Sequence, residues 1–527
     1  MKEQRHLSSQ EKEFIIEHLG SMSNKEISRK LGIPRHTVQN YRDSAELKNS
    51  GKRALSIIPL DKLPFKKLKT AAGWAVFVAI LLLAFGLRKH TFDLPHYRGD
   101  QHHYVGLAFK LDTSGISGYN LRGIDMYSLR EHPEVVQMAP ARDKGRIIKS
   151  LAEGGITYYD EPLHHMPFGF PLAIMLSHKI FAAGQPYYML AVNDTAIIRK
   201  APPGVGLRNF RFDPAIAGKQ FYSIIIPLAS SMLLIVLVYL TARTLYNDEW
   251  IPPVAMFLMA ISPIDILTSQ KIWADDMTAA LMVAAVLLYL VAVKKQAPFF
   301  AFAGGIACGM GVVTKQNAAI GAFAIVIWHF LSNADRLFRK ETFLKVVFDK
   351  NLMLFGTGCI LSAGYWFIKI TLTYGDPIYR PHQENLIEAA ETAWFRLVQG
   401  RPKHLYLLGI PYQNPLFILA YLSPLWLWLD KKQFKNTLFP VIWLAAAFCV
   451  AYKLMGGEHR YMLPAYPAFA ILGAYVANRL RIFLNSKAGP WTGTILLVAA
   501  LAVSAFWSVP MALETVFHNG ALIMKPF

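Results

Sequence analysis

One carboxylate, one guanidinium and two imidazoles stand together in Tyr97-Arg98-Gly99-Asp100-Gln101-His102-His103-Tyr104, almost directly after the first long apolar run of the chain. Charge beside a hydrocarbon layer is costly and is usually kept for function. Asp100 is the candidate general base, because a partly desolvated carboxylate is a stronger base than one in bulk water and can take a proton from an acceptor hydroxyl. The plainer reading is an interfacial Asp paired with Arg98. Ser269-Gln270-Lys271-Ile272-Trp273-Ala274-Asp275-Asp276 offers a second cluster. Its paired acids can orient a sugar or hold a divalent ion, and Lys271 can neutralise a phosphate; the same acids also suit the positive end of the helix that follows. Thr314-Lys315-Gln316-Asn317 divides an apolar stretch too long for one span, which puts Lys315 at a turn or leaves it to snorkel.

Two more clusters sit at the ends of apolar segments. Asp160-Glu161-Pro162-Leu163-His164-His165 has the residue types of a metal or phosphate site. Adjacent histidines do not readily serve one ion, so hydrogen bonding is preferred to a dedicated metal centre. Glu458-His459-Arg460-Tyr461 supplies an Arg able to grip a phosphate with two parallel hydrogen bonds, or an Arg and Tyr belt that fixes helix depth.

The elements that must carry these clusters follow from composition. A chain of 527 residues that is 54% hydrophobic, with a mean hydropathy of +0.29, has more apolar material than one soluble core uses. The expected fold is all-α, a polytopic transmembrane bundle of about 11–13 helices with a small helical N-terminal domain. After a first run over 71–87, apolar segments fall near 166–183, 222–242, 250–267, 277–293, 299–314, 317–331, 351–373, 412–429, 437–454, 462–479 and 489–511. The net charge of +20 suits basic loops on an anionic leaflet, a phosphate-bearing ligand or DNA. Cys308, Cys359 and Cys449 lie in apolar stretches without CxxC spacing, so they read as packing residues. No cleavable leader is visible, and the first run is an uncleaved anchor.

In order, residues 1–45 are a small cytoplasmic helical domain, 46–70 a basic linker, and 71–527 the membrane domain, with external loops over 88–165 and 374–411. Within residues 7–45, Asn24 caps a helix to Leu31, Gly32 makes a turn and Pro34 opens another helix. This pattern resembles a helix-turn-helix, with Arg35, His36, Thr37, Gln39, Asn40 and Arg42 as candidate DNA contacts; a docking module is the alternative. Lys66, Lys67 and Lys69 before the first run place the N-terminus inside a plasma membrane and Asp100 outside. Lys294-Lys295, Arg336 to Lys345 and Lys431 to Lys435 are then also inside, which brings the polar clusters to one outer face. Simple alternation conflicts over 185–220, so either 166–183 is re-entrant or 187–198 crosses back.

Four landmarks in chain order resemble the GT-C membrane glycosyltransferases, in the branch of protein O-mannosyltransferases and lipid A aminoarabinose transferases. They are Gly99-Asp100-Gln101 with Tyr104 and Ala108; Met166-Pro167-Phe168-Gly169-Phe170-Pro171; Ser262-Pro263, Asp275-Asp276, Gly304-Gly305 and Thr314-Lys315; and Arg460-Tyr461-Met462-Leu463-Pro464-Ala465-Tyr466-Pro467. The resemblance spans residues 71–480. Gln101 stands where that family often has a second acid, and His164-His165 where it often has a Lys. The resemblance implies a polyprenyl- or dolichyl-phosphate-linked hexose or pentose as donor, and inverting transfer to a glycan, lipid or protein hydroxyl at the outer face. Asp100 would be the base, and Lys271, Lys315, Arg460, His164 and His165 would hold the donor phosphate. Tyr104, His102, His103, Glu161, Asp275, Asp276, Glu458 and Tyr461 would contact sugar or acceptor. A divalent cation is an optional cofactor. The alternative function is a membrane-tethered regulator that binds nucleic acid through its N-terminal domain.

Overall fold

A computed structural model describes residues 8, 11, 14–15, 23–34, 37–39, 41, 71–89, 100–120, 163, 166–185, 187, 220–377, 405–454 and 459–517. The chain divides into two compact units, Met1–Lys67 and Leu68–Phe527. In the small unit α1 (Asn24–Leu31) opens on a capping box, in which Ser23 and Glu26 bond each other's backbone, and closes on Gly32 at φ 62°. A left-handed residue there is costly for anything but glycine or Asn. Ile15, Ile27, Ile33 and Val38 form its core, and residues 37–39 are helical.

Every regular element among the large unit's described residues is a helix. The unit comprises α2 (Ala71–Arg88), α3 (Asp100–Ser114), α4 (Gly169–Phe181), α5 (Phe221–Leu245), α6 (Ile251–Ala260), α7 (Pro263–Thr268), α8 (Asp275–Lys295), α9 (Pro298–Val312) and α10 (Ala319–Ser332). These are followed by α11 (Ala334–Leu337), α12 (Lys340–Val347), α13 (Lys350–Tyr374), α14 (Leu405–Gln413), α15 (Ile418–Leu429), α16 (Phe434–Leu454), α17 (Tyr466–Ala488) and α18 (Thr492–Phe517). Among the described residues six helical stretches are long and apolar enough to cross a membrane, and six shorter apolar helices accompany them. Ile360, Leu361, Ile368 and Leu372 of α13 and Phe506 of α18 are exposed, as lipid-facing side chains must be. The chain is an integral, multi-pass membrane protein.

Several boundaries differ from those expected. The segment 250–267 is two helices, because Pro263 has no N–H to continue α6 and Ser262 is extended. Leu405–Gln413 is helical although it begins inside the expected external loop 374–411. Residues 412–429 break at Asn414, whose side chain caps the turn Pro415–Phe417. At 13 residues, α4 is roughly 20 Å long against a hydrocarbon core of ~30 Å, so its length favours the re-entrant alternative. The other alternative, a crossing at 187–198, lies almost wholly outside the described residues.

Backbone-to-backbone contact of α9 with α13 depends on glycine. A Cβ on Gly305 would stand 2.0 Å from the Phe355 carbonyl oxygen, and one on Gly358 2.3 Å from that of Phe302. Small residues of this kind let membrane helices close on each other in the absence of a hydrophobic drive. A buried ion pair ties α2 to α7. Arg88 donates to Asp265, to Ser231 at 2.7 Å and to the carbonyls of Ala84 and Ala260 at 3.0 and 2.9 Å. Ser231 also donates to Asp265 at 2.7 Å.

Candidate active site

Four helix ends meet at one place: the start of α3, the α7–α8 link, the α9–α10 turn and the 3-10 turn His459–Ala465 before α17. Each end has a local cause. Ser269 to Ala274 leave helical order before the paired acids of α8, and Lys315, extended at φ −159° and ψ 130°, separates α9 from α10. Pro464 and Pro467 bracket the entry to α17. The expected turn at Lys315 is therefore found.

Arg460 Nη1 lies 2.9 Å from Asp100 Oδ2, and Lys315 Nζ lies 2.6 Å from Asp275 Oδ1. Tyr461 joins the two ion pairs: Lys315 Nζ is 4.6 Å from its ring centre, the Arg460 guanidinium is 5.1 Å away, and Arg460 Nη2 donates to its hydroxyl at 3.4 Å. The guanidinium also lies 4.3 Å from the Trp273 ring. Cations over aromatic faces keep their charge while losing water. Asp275 is almost wholly buried, whereas the Asp100 side chain keeps 34% exposure and can still meet a ligand.

Hydrogen bonds and close packing hold the frame behind these groups. Gln101, buried, accepts a hydrogen bond from Ile272 N at 2.9 Å, tying the start of α3 to the α7–α8 link. Gly169 N donates to the Val313 carbonyl at 2.7 Å, and a Cβ there would meet Thr314 Oγ1 at 2.6 Å. The start of α4 is thereby seated on the Lys315 turn. Tyr104 packs edge-on against Phe170 with ring centres 4.8 Å apart.

Electrostatics overturn one expectation. Burial raises the Asp100 carboxyl, but Arg460, then His103 and Lys315, outweigh it and hold the carboxyl below its ordinary value. At rest Asp100 is thus a weaker base than a free Asp, because its counter-ion is built in. Burial, reinforced by Asp100 and Asp275, pushes the Tyr104 hydroxyl well up, so it stays protonated and able to donate. Burial pushes the Lys271 ammonium down to about 8.

Of the site residues read from sequence, the structure brings Asp100, Asp275, Lys315, Arg460 and Tyr461 into contact, with His103 and Tyr104 in the same field. Lys271 is buried in the α7–α8 link. Asp276 turns the other way. It accepts from Thr268 Oγ1 at 3.0 Å and faces Asp265 with no exposure, so contact with sugar is not its place here. The side chain of His102, and Glu161, His164, His165 and Glu458, lie outside the described residues, as do Arg35, His36, Asn40 and Arg42. Thr37 and Gln39 are helical residues of the small unit, and Gln39 is bonded to Asn24. Trp273 was missed: it sits among chemistry-bearing residues, and only the fold places a cation on its face. Among the described residues no three of His, Cys, Asp and Glu converge, and Asp100 and Asp275 are each paired with a cation.

Residues 210–354 match the family model of dolichyl-phosphate-mannose-protein mannosyltransferase. An uncharacterised protein of Aquifex aeolicus (strain VF5) is 24% identical over 302 residues, 55% of each chain, so this chain spans about half the length of the curated relative it matches. Among solved structures, ArnT from Cupriavidus metallidurans in the apo state gives a TM-score of 0.49 at 13% identity over 86% of this chain and 78% of that one. The archaeal oligosaccharyltransferase AglB from Archaeoglobus fulgidus, in complex with an inhibitory peptide and a dolichol-phosphate, gives 0.49 at 13% identity over 87% and 56%. The matched segment contains Ser262-Pro263, Asp275-Asp276, Gly304-Gly305 and Thr314-Lys315, the third of the four landmarks, and so agrees with the GT-C resemblance over that stretch.

Proposed function

We propose that this chain is an inverting glycosyltransferase that moves a hexose or pentose from a polyprenyl- or dolichyl-phosphate carrier to an acceptor hydroxyl at the outer membrane face. The observation that carries the reading is the meeting of two cations, Arg460 and Lys315, each held by one carboxylate, around Tyr461. A donor phosphate entering there competes with the carboxylates for both cations. As Arg460 turns to phosphate, Asp100 loses the charge that lowers it and becomes basic at the moment a base is needed. Its carboxylate takes the acceptor O–H proton, the acceptor oxygen attacks the anomeric carbon, and the bond from that carbon to the phosphate oxygen breaks. The carrier phosphate leaves with one more negative charge, which Arg460 and Lys315 stabilise. Inversion follows from a single displacement, with one carboxylate where a glycosidase needs two.

The test is release of polyprenyl phosphate from a panel of synthetic polyprenyl-phosphate hexoses and pentoses by the full chain in proteoliposomes. Asp100→Asn should lower kcat by about 100-fold or more while insertion and fold persist. Undiminished transfer by that variant removes Asp100 from the chemistry. For the small unit, a nucleic-acid role is a second proposal that rests on the helix-turn-helix resemblance of its sequence. Salt-dependent DNA binding that weakens in Arg35→Ala and Arg42→Ala would support it, and a flat curve at low salt would remove it.

A further inference from the structure

The end of the membrane unit opposite the candidate active site carries a feature that the transfer reaction does not use. α8 runs from Asp275 at the site to Lys294 and Lys295, and α10 runs from the Lys315 turn to Ser332. The link from α10 to α13 therefore lies at the far end, and it contains α11 and α12. Along α12 only Val346 is buried, and its carbonyl accepts from or faces His329 Nε2 at 3.0 Å. Phe343, Leu344 and Val347 share one side of the helix by their spacing. Phe343 and Leu344 are 46% and 62% exposed, and Phe338 and Phe348 at the helix flanks are 91% and 62% exposed.

The same short link holds Arg336, Arg339, Lys340, Lys345 and Lys350, all exposed, against Asp335, Glu341 and Asp349. Asp349 is occupied as the cap of α13, accepting from Asn351 N and Leu352 N. More positive charge is pinned beside it. Lys435 Nζ donates to the Ser332 carbonyl at 2.8 Å and Trp328 Nε1 to the Lys435 carbonyl at 2.9 Å, which fixes exposed Lys431 and Lys432 next to the end of α10.

Four large apolar side chains in the open, in the link between the apolar helices α10 and α13, would be an aggregation hazard in water. Set into the headgroup boundary of a bilayer they are at home, as in amphipathic helices that lie in the plane of a membrane. The cations beside them then stand at the depth of lipid phosphates, and an anionic leaflet complements them. We propose that residues 334–350, with Lys431, Lys432 and Lys435, form a binding surface for anionic phospholipid headgroups, with Phe338, Phe343, Leu344 and Phe348 anchored among the acyl chains. This surface is independent of the transferase reading, and either can fail alone.

The experiment uses the full chain purified in mild detergent, exposed to equal amounts of phosphatidylglycerol and phosphatidylcholine, with co-retained lipid counted by native mass spectrometry. Phosphatidylglycerol should be retained about tenfold over phosphatidylcholine, and Arg339→Gln/Lys340→Gln/Lys345→Gln should lower that preference at least threefold. Raising the salt from about 50 to 500 mM should collapse the preference of the unaltered chain, which tests the surface even if the triple variant folds poorly. Phe343→Ser/Leu344→Ser should weaken retention of both lipids. Excess inorganic phosphate that displaces phosphatidylglycerol at constant ionic strength would show that a free anion suffices and would overturn the lipid assignment. Equal retention of the two lipids, an unchanged preference in the triple variant, or dimerisation that these substitutions abolish would overturn it as well.

Discussion

Asp100 and Arg460 together make a sharper prediction than either does alone. On the proposed reaction the acid limb of kcat/KM reports the free enzyme, where Arg460 holds Asp100 below its ordinary value, and the limb of kcat reports the complex, where the phosphate has drawn Arg460 away. The kcat limb should therefore lie at higher pH than the kcat/KM limb, measured with one donor across pH 3–8. In Arg460→Gln burial is left with less opposition, so the kcat/KM limb should move upward. The sign for stability is the same: a lowered carboxyl contributes fully above its unfolded value, and the contribution is lost as pH falls through the folded one. These charged groups were legible in the sequence because each stands at the end of an apolar run. Trp273 beneath Arg460, the occupation of Asp276 by Thr268, and the pairing of Arg88 with Asp265 were not. Who pairs with whom is settled by helices distant in the chain, and periodicity carries no trace of it.

At the scale of elements, the α9–α13 seam and the α2–α7 tie are the features most exposed to substitution. Gly305→Ala puts a methyl against the Phe355 carbonyl, an atom of backbone that has nowhere to go. A loss of about 1–3 kcal/mol is expected, read as a lower unfolding midpoint in detergent, since overpacking in a close-packed interface costs that much. Arg88→Met should cost about 3–5 kcal/mol, because it strands a buried carboxylate. Replacing Asp265 by Leu in the same chain should recover much of the loss. Most helices were legible from hydropathy alone. The misread ones have local causes: Ser262-Pro263 breaks an unbroken apolar run, and Leu405–Gln413 follows polar sequence that masks its start.

Over the whole molecule, the two ends of the membrane unit are chemically distinct, with paired charges about a candidate reaction centre at one and exposed cations around α12 at the other. The all-helical, many-spanning plan could be read from composition; the convergence of four helix ends could be expected from motif order but not drawn. That convergence bears on how the protein is made. Asp100 leaves the ribosome early and Arg460 late, and at about 5–20 residues per second the interval is some tens of seconds. Through that interval the acid is without the guanidinium that pairs with it in the folded chain. Nascent chains halted before residue 459 should accordingly be cleared by membrane proteases faster than chains halted after α17, a difference that pulse-chase labelling would resolve. On that expectation the stretch from His459 to Ala488 acts as a checkpoint on assembly as well as a source of one cation.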